Sequence, residues 1–268
     1  MAHKKIKPVW DPNQRWPAFK EMDAGEKWGF DFGEAVGLLA FGFWWPGIRP
    51  GHQWHMTTYD FPIRLKFVHN HKAPQGMENA WHGWNLPEWL KCARELEEEG
   101  VRAIVTGCGF TGTIQEELSD AVSVPVFAST ILFVPLISQT LKKNQKVGIL
   151  TASSEVLARW DNKLLRACGV DTTIPIVIAG MTESGYCDVW WSQLGQDFHP
   201  EKVQDSIVKV AQKMVSDHPE IGAIVCECTD MTPFTRAIRQ ATHLPVFDAV
   251  DMVNYAHDIV RIWETAPL

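Results

Sequence analysis

Two cysteines hold the chemistry this sequence can offer. Cys108 and Cys228 each close an apolar run and open a turn. A thiol so placed can give a proton, and its thiolate can take one. Sliding the chain against itself shows that the two belong together. Ala103-Ile-Val-Thr-Gly-Cys108 returns as Ala223-Ile-Val-Cys-Glu-Cys228 at an offset of 120 residues. At the same offset Ala121 meets Ala241 and Pro125-Val-Phe127 meets Pro245-Val-Phe247, so each cysteine stands 17 residues before its proline. The register sets Cys226 opposite Thr106, which makes Cys228 the partner of Cys108. A single free cysteine is most simply a small buried hydrophobe. A pair matched in register is expected to be chemical.

Two thiols on opposite sides of one molecule suit proton transfer at a carbon beside a carboxylate. One thiolate removes the α-proton while the facing thiol donates. The backbone N–H groups of Gly109, Phe110 and Thr111, and those of Thr229 and Asp230, are candidates to hold the carboxylate and its enediolate charge. Helices starting just after each cysteine are expected to lower the thiol pKa toward neutrality. Thr151 and Ser153 follow the opening strand of the second half and are further substrate-contact candidates, although helix capping explains them as well. An aromatic-lined cleft would suit a cationic substrate. Trp45 and Tyr59 are the aromatic site candidates, with Trp44, Trp54, Tyr186 and Trp190 beside them. Plain packing accounts equally for the thirteen tryptophans.

The elements that must position these residues read as α/β. The first 34 residues show no period and look like an outer arm, and Val36-Gly-Leu-Leu-Ala-Phe41 reads as a buried strand. Trp44 to Gln53 is loop material. Pro87 to Gly100 carries helix start and stop signals. Val101–Thr106 then predicts a strand, Gly107–Gly112 a turn, Thr113–Ala121 a helix and Val124–Phe127 a strand. Val147-Gly-Ile-Leu150 echoes Val36-Gly-Leu-Leu39. The pattern predicts two pseudo-symmetric Rossmann-like lobes with parallel sheets and the active site in the cleft between them. Residues 1–130 plus 248–268 would form the first lobe and 131–247 the second. Crossings are expected near 131 and 247, with a last helix, Val250 to Trp263, returning to the first lobe. Ligands of such sheets bind beyond the carboxyl ends of the strands, where both cysteines fall.

Composition narrows the classes. The chain of 268 residues is 46 % hydrophobic and 21 % charged with net charge −7, an ordinary globular balance without the basic footprint of a nucleic-acid binder. The N-terminus has a few positive charges but no apolar segment behind them, which argues against a signal peptide. No apolar run reaches the roughly 18 residues of a membrane span. A cytoplasmic location is the resulting expectation. Six cysteines, at 92, 108, 168, 187, 226 and 228, are too sparse for a disulfide framework. Gly107-Cys-Gly-Phe-Thr-Gly112 matches a dinucleotide fingerprint literally, but no acid stands about 20 residues on, so nucleotide binding is set aside. His52, His55, His69, His71 and His82 lack carboxylates at ligand-like spacing and read as solvated or packing side chains. No metal is expected.

At these motifs the sequence resembles the aspartate/glutamate/hydantoin racemase superfamily over roughly residues 35 to 260. The resemblance rests on Val101-Arg-Ala-Ile-Val-Thr-Gly-Cys-Gly-Phe, Lys146-Val-Gly-Ile-Leu-Thr-Ala, Val225-Cys-Glu-Cys-Thr-Asp-Met and Leu244-Pro-Val-Phe-Asp. It implies two pseudo-symmetric lobes, no cofactor, and one catalytic cysteine from each lobe. Members include amino-acid and hydantoin racemases, arylmalonate decarboxylase, maleate isomerase and the algal dimethylsulfoniopropionate lyases. Cys228-Thr229-Asp230 is similar to the family's Cys-Thr-Glu or Cys-Thr-His. The first motif departs, because amino-acid racemases typically show Cys-Asn-Thr where this chain has Cys108-Gly109-Phe110. That departure turns the reading away from an amino-acid substrate and toward the lyase-containing branch. A racemase or other isomerase acting on a small carboxylate is the leading expectation, with a lyase or decarboxylase next. A non-catalytic two-lobed binding protein is the reading from another class. The partner expected is the small carboxylate alone, with no nucleic acid or membrane, and the protein is expected to be a homodimer or higher homo-oligomer.

Overall fold

A computed structural model describes residues 35–41, 47–69, 85–184 and 198–261. Strand β1 (Val36–Phe41) is buried at every position, as a central parallel strand covered on both faces must be. β2 (Ile63–Val68) pairs with one edge of β1 and β3 (Ala103–Thr106) with the other, all parallel, and β4 (Val126–Phe127) lies outside β3. The second half repeats the order. β5 (Lys146–Thr151) lies between β6 (Ile176–Gly180) and β7 (Ile221–Cys226), with β8 (Val246–Phe247) outside β7. The two sheets therefore run β2-β1-β3-β4 and β6-β5-β7-β8.

Parallel neighbours require crossovers, and the helices supply them. Leu86–Glu98 carries Pro87 in its first turn and buries Trp89, Cys92, Ala93 and Leu96. That spacing makes one apolar stripe, which packs on β1 and β2. Trp89 is wholly buried and meets the Phe41 ring edge-on at 5.6 Å. Pro200–Asp217 has the same role in the second half, burying Val203, Ile207, Val210, Ala211 and Met214.

In each half the chain leaves its first strand toward one side and returns for the third on the other. In parallel sheets of this order, ligands bind at that reversal, beyond the carboxyl ends of the strands. Those ends are Phe41 and Thr106 in the first half, and Thr151 and Cys226 in the second. The segment after each third strand departs from expectation. The expected turn, Gly107–Gly112, is continued by a 3-10 helix over Gly109–Ile114, and the α-helix begins at Gln115 rather than Thr113. Thr229–Phe234 is the matching 3-10 turn ahead of the helix Thr235–Thr242. The strands are shorter than their apolar runs, because Val101 and Val124 precede the ladder.

The halves are laced together. Helix Phe133–Thr140, which comes after β4, packs against β5 and β7, whereas Ala249–Val260, which comes after β8, packs against β3 and β1. Arg102 Nε donates to the Val260 carbonyl at 2.9 Å, and Phe61 stacks flat on His257 at 3.5 Å between centroids. One apolar cluster includes Leu38 and Val105 of the first sheet, Ile149 and Val225 of the second, and Ile131 from the turn after β4. Among the described residues no helix is long and apolar enough to cross a membrane.

Candidate active site

Cys108 and Cys228 hold the same place in their halves. Each has extended backbone and stands as the N-cap of a six-residue 3-10 turn. Contacts between the halves are reciprocal around them. The hydroxyl of Thr229, one residue after Cys228, donates to the carbonyl of Gly107, one residue before Cys108, at 3.1 Å. Gly109, one residue after Cys108, presses on Glu227, one residue before Cys228. A Cβ built on Gly109 would stand 2.2 Å from the Glu227 carbonyl oxygen and 2.3 Å from its Oε1. The residues flanking each cysteine thus interlock across one seam. Both thiols are half-buried there and close enough for Cys108 to act electrostatically on Cys228.

The seam accounts for the glycine in Cys108-Gly109-Phe110. Any side chain at 109 must push apart two lengths of backbone. Gly109→Ala is expected to destabilise the protein by about 3 kcal/mol. A urea unfolding midpoint equal to that of the native chain would mean that the lobes do not meet at this seam.

The expectation of lowered thiol pKa values is overturned. Burial is the largest influence on Cys108 and pushes its thiol well above the usual range; Glu227 and Asp230 add to this, while the N–H groups of Phe110 and Thr111 oppose it. Cys228 is raised well above the ordinary value by burial, then by Asp230 and Glu227, against one N–H bond from Asp230. A single 3-10 turn offers too few aligned amides to offset desolvation and two nearby carboxyl groups.

The remaining candidates divide by what their polar atoms already do. Thr111 and Phe110 turn their N–H groups toward Cys108. The Thr111 hydroxyl is committed inside the first lobe, bonded to Thr106 Oγ1 and to the carbonyls of Cys108 and Ala128. Asp230 keeps its carboxylate partly exposed, with Oδ2 3.9 Å from Cys228 Sγ. Thr151 is fully buried and donates to Glu227 Oε2 at 2.7 Å. Ser153 caps the helix Ser154–Leu157 and donates to Glu183 at 3.0 Å, so the capping explanation accounts for it. Tyr59 is structural, its hydroxyl donating to the Gln53 carbonyl at 2.9 Å and its pKa raised first by burial and then by Asp248. Trp45, with Trp44, Tyr186 and Trp190, lies outside the described residues, as do His71 and His82.

Three more residues stand at the site, of which only Trp54 is among the aromatic candidates. Trp54 donates its indole N–H to the Gly107 carbonyl at 3.0 Å, and its ring fills the space a side chain at 107 would need. His52, one of the histidines expected to be solvated or packing, is buried and reaches across the seam. Its Nδ1 accepts the Trp54 N–H at 3.0 Å, so the neutral ring carries its proton on Nε2 and donates to Asp230 Oδ1 at 3.0 Å. Glu227 is the third. It is fully buried beside the cysteines, and burial pushes its carboxyl up to about 8 against the bonds from Thr151 and the Ala152 N–H, with Asp230 adding to the rise. The repeat holds one signal for it, because a carboxyl stands opposite Gly107 at the end of a wholly apolar strand.

Comparison with known proteins bears on the family and the fold. The family model for Asp/Glu/Hydantoin racemase matches residues 67–254. A dimethylsulfoniopropionate lyase of Durusdinium sp. clade D is 32 % identical over 161 residues, covering 59 % of this chain and 52 % of the lyase. The chain spans about half the length of the curated relatives it matches. Among solved structures, an aspartate racemase homologue from Pyrococcus horikoshii OT3 superposes with a TM-score of 0.57 at 17 % identity, covering 85 % of this chain and 99 % of that one. Unliganded arylmalonate decarboxylase gives a TM-score of 0.53 at 12 % identity, covering 87 % and 94 %. At these identities the superpositions show the fold.

Proposed function

Because the chain belongs to the Asp/Glu/Hydantoin racemase family, we propose that it is an acid/base enzyme whose Cys108 and Cys228 move a proton at the α-carbon of a small carboxylate, and that the reaction is a β-elimination. The observation that carries the reading is the charge around the pair. The charge effects that both thiols share come from the carboxyl groups of Asp230 and, above about pH 8, of Glu227. Such an enclosure resists thiolate formation when empty and favours it when a cation enters, since an opposite charge within about 4–6 Å stabilises the ionised form. A carboxylate bearing a cationic leaving group on its β-carbon brings that cation. The sulfonium named in the lyase relatives fits the requirement.

The step balances without an added reactant. One thiolate takes the α-proton, and the C–H electron pair becomes the Cα–Cβ double bond. The β-carbon–sulfur bond breaks, and its electron pair leaves on a neutral sulfide. The facing thiol and the N–H groups of the 3-10 turns hold the carboxylate as enediolate charge develops. The thiol that took the proton returns it to solvent.

The isomerase reading shares the proton abstraction and differs only in the fate of the carbanion, which is reprotonated rather than relieved by loss of a leaving group. Incubation with dimethylsulfoniopropionate in deuterated buffer, read by NMR, separates the two. Release of dimethyl sulfide and acrylate is the expected result. Deuterium at Cα of recovered carboxylates, with no elimination from any β-substituted substrate, would replace the lyase with an isomerase.

A further inference from the structure

Glu227 is a buried titratable group at the seam that the elimination does not use. Its surroundings are unusual for a carboxyl. Oε2 accepts the Thr151 hydroxyl, whereas Oε1 is buried with no hydrogen-bond partner among the described residues. The acceptor role of Oε2 puts the proton of the neutral acid on Oε1, the oxygen next to Gly109 on the Cys108 turn. Every group that faces it is neutral or acidic. Cys226 and Cys228 flank it in sequence, Asp230 comes from the turn after it, Cys108 from the opposite turn, and Cys168 from the end of the helix Arg159–Ala167. Thr151 and Ala152, from the end of β5, offer it hydrogen bonds without charge.

In this low-dielectric enclosure the carboxyl and the two thiols do not titrate independently. Each negative charge formed opposes the next. Building on the acid/base reading above, we propose that Glu227 is a positioning residue for the cysteine pair: as a neutral acid it lets a thiol ionise for the reaction, and as a carboxylate it holds both in the thiol form. Gly109 belongs to the same device, because its bare Cα lets the carboxyl lie against the Cys108 turn. Glu227 is the first of the three to lose its proton as pH rises, since burial has set it near 8 and the thiols well above their ordinary value. Turnover should then fall on the alkaline side where a lone thiol pair would gain.

Thiol ionisation is tested without a substrate, so the result stands apart from whether the enzyme is a lyase. Iodoacetamide alkylation at Cys108 and Cys228 is monitored by peptide mass spectrometry from about pH 6 to about pH 10. Glu227→Gln keeps the shape and the acceptor for Thr151 but cannot ionise. Its cysteines are expected to alkylate about tenfold faster than native near pH 9, with the gap closing where native Glu227 is protonated. Thr151→Val removes a bond that favours the carboxylate, so its cysteines should alkylate faster than native near pH 8. Superimposable profiles for native and Glu227→Gln would overturn the proposal. If Glu227→Gln fails to fold, carbon-13 NMR of the native carboxyl decides instead. Titration alongside the ordinary surface carboxylates would overturn the proposal, and titration near 8 in step with a flattening of the alkylation profile is the expected result.

Discussion

Replacing either cysteine by alanine, in Cys108→Ala or Cys228→Ala, lowers turnover by roughly 100- to 10,000-fold while leaving the fold in place. A facing acid/base pair loses its function when either member goes. The fold survives because the thiols make few of the contacts that hold the seam. The Thr229–Gly107 bond and the Gly109–Glu227 contact come from the neighbouring residues, and each sulfur is only half-buried. The two variants are also expected to differ. Cys108→Ala removes a group that raises the Cys228 thiol, so Cys228 should ionise at lower pH than in the pair. Turnover on one substrate and far-UV circular dichroism, read together on both variants, check the prediction. Full activity in either folded variant would remove that cysteine from the chemistry.

Stability should fall as pH rises through neutrality, and Glu227→Gln should abolish most of that slope. Burial raises the Glu227 carboxyl from 4.5 to about 8, so the unfolded chain releases its proton earlier than the folded one. The stability linked to that proton is fully present below about 4.5 and is lost as pH climbs to about 8. At about 1.4 kcal/mol per pH unit the rise corresponds to an upper bound of about 5 kcal/mol, and relaxation of the site reduces it to about 2–4 kcal/mol. Asp251, pushed up to about 6 by burial and then by Asp248, works in the same direction at lower pH. Exposed Glu220, held at about 2 chiefly by Lys146, has its effect lower still. The difference between native and Glu227→Gln urea midpoints from about pH 6.5 to about pH 8.5 therefore isolates Glu227. Parallel native and Glu227→Gln curves over that window would mean that the carboxyl is ionised when folded.

The parts of the molecule written as repeats are legible from residue order alone. Ala103–Thr106 and Ile221–Cys226 are wholly buried strands that end in a turn, and their shared register already names Cys108 and Cys228 as partners. The helix Leu86–Glu98 is marked by Pro87 and its apolar stripe. What stays hidden depends on contacts distant in sequence. Ile63–Val68 exposes Phe67 and carries Arg64 and Lys66, so it lacks the apolar run of an inner strand and pairs only at the edge of β1. His52 meets Asp230 across 178 residues, and no local pattern encodes that bond. The thiol pKa values run against expectation because helix position is visible in a sequence, whereas desolvation and the burial of Glu227 are not. The Thr111 hydroxyl is spent on three bonds within its own lobe, which its place in the Cys108 turn does not reveal.

The central claim is that two sulfur atoms share one crevice, and a thiol-bridging reagent tests it most directly. Dichloroacetone joins two thiols through a short ketone bridge when both can reach it, and digestion with mass spectrometry identifies the peptides linked. The interlocked seam predicts a single bridge between Cys108 and Cys228 at equimolar reagent, with concurrent loss of turnover. Separate adducts on the two cysteines, with no bridged peptide, would place the thiols apart and contradict the shared site.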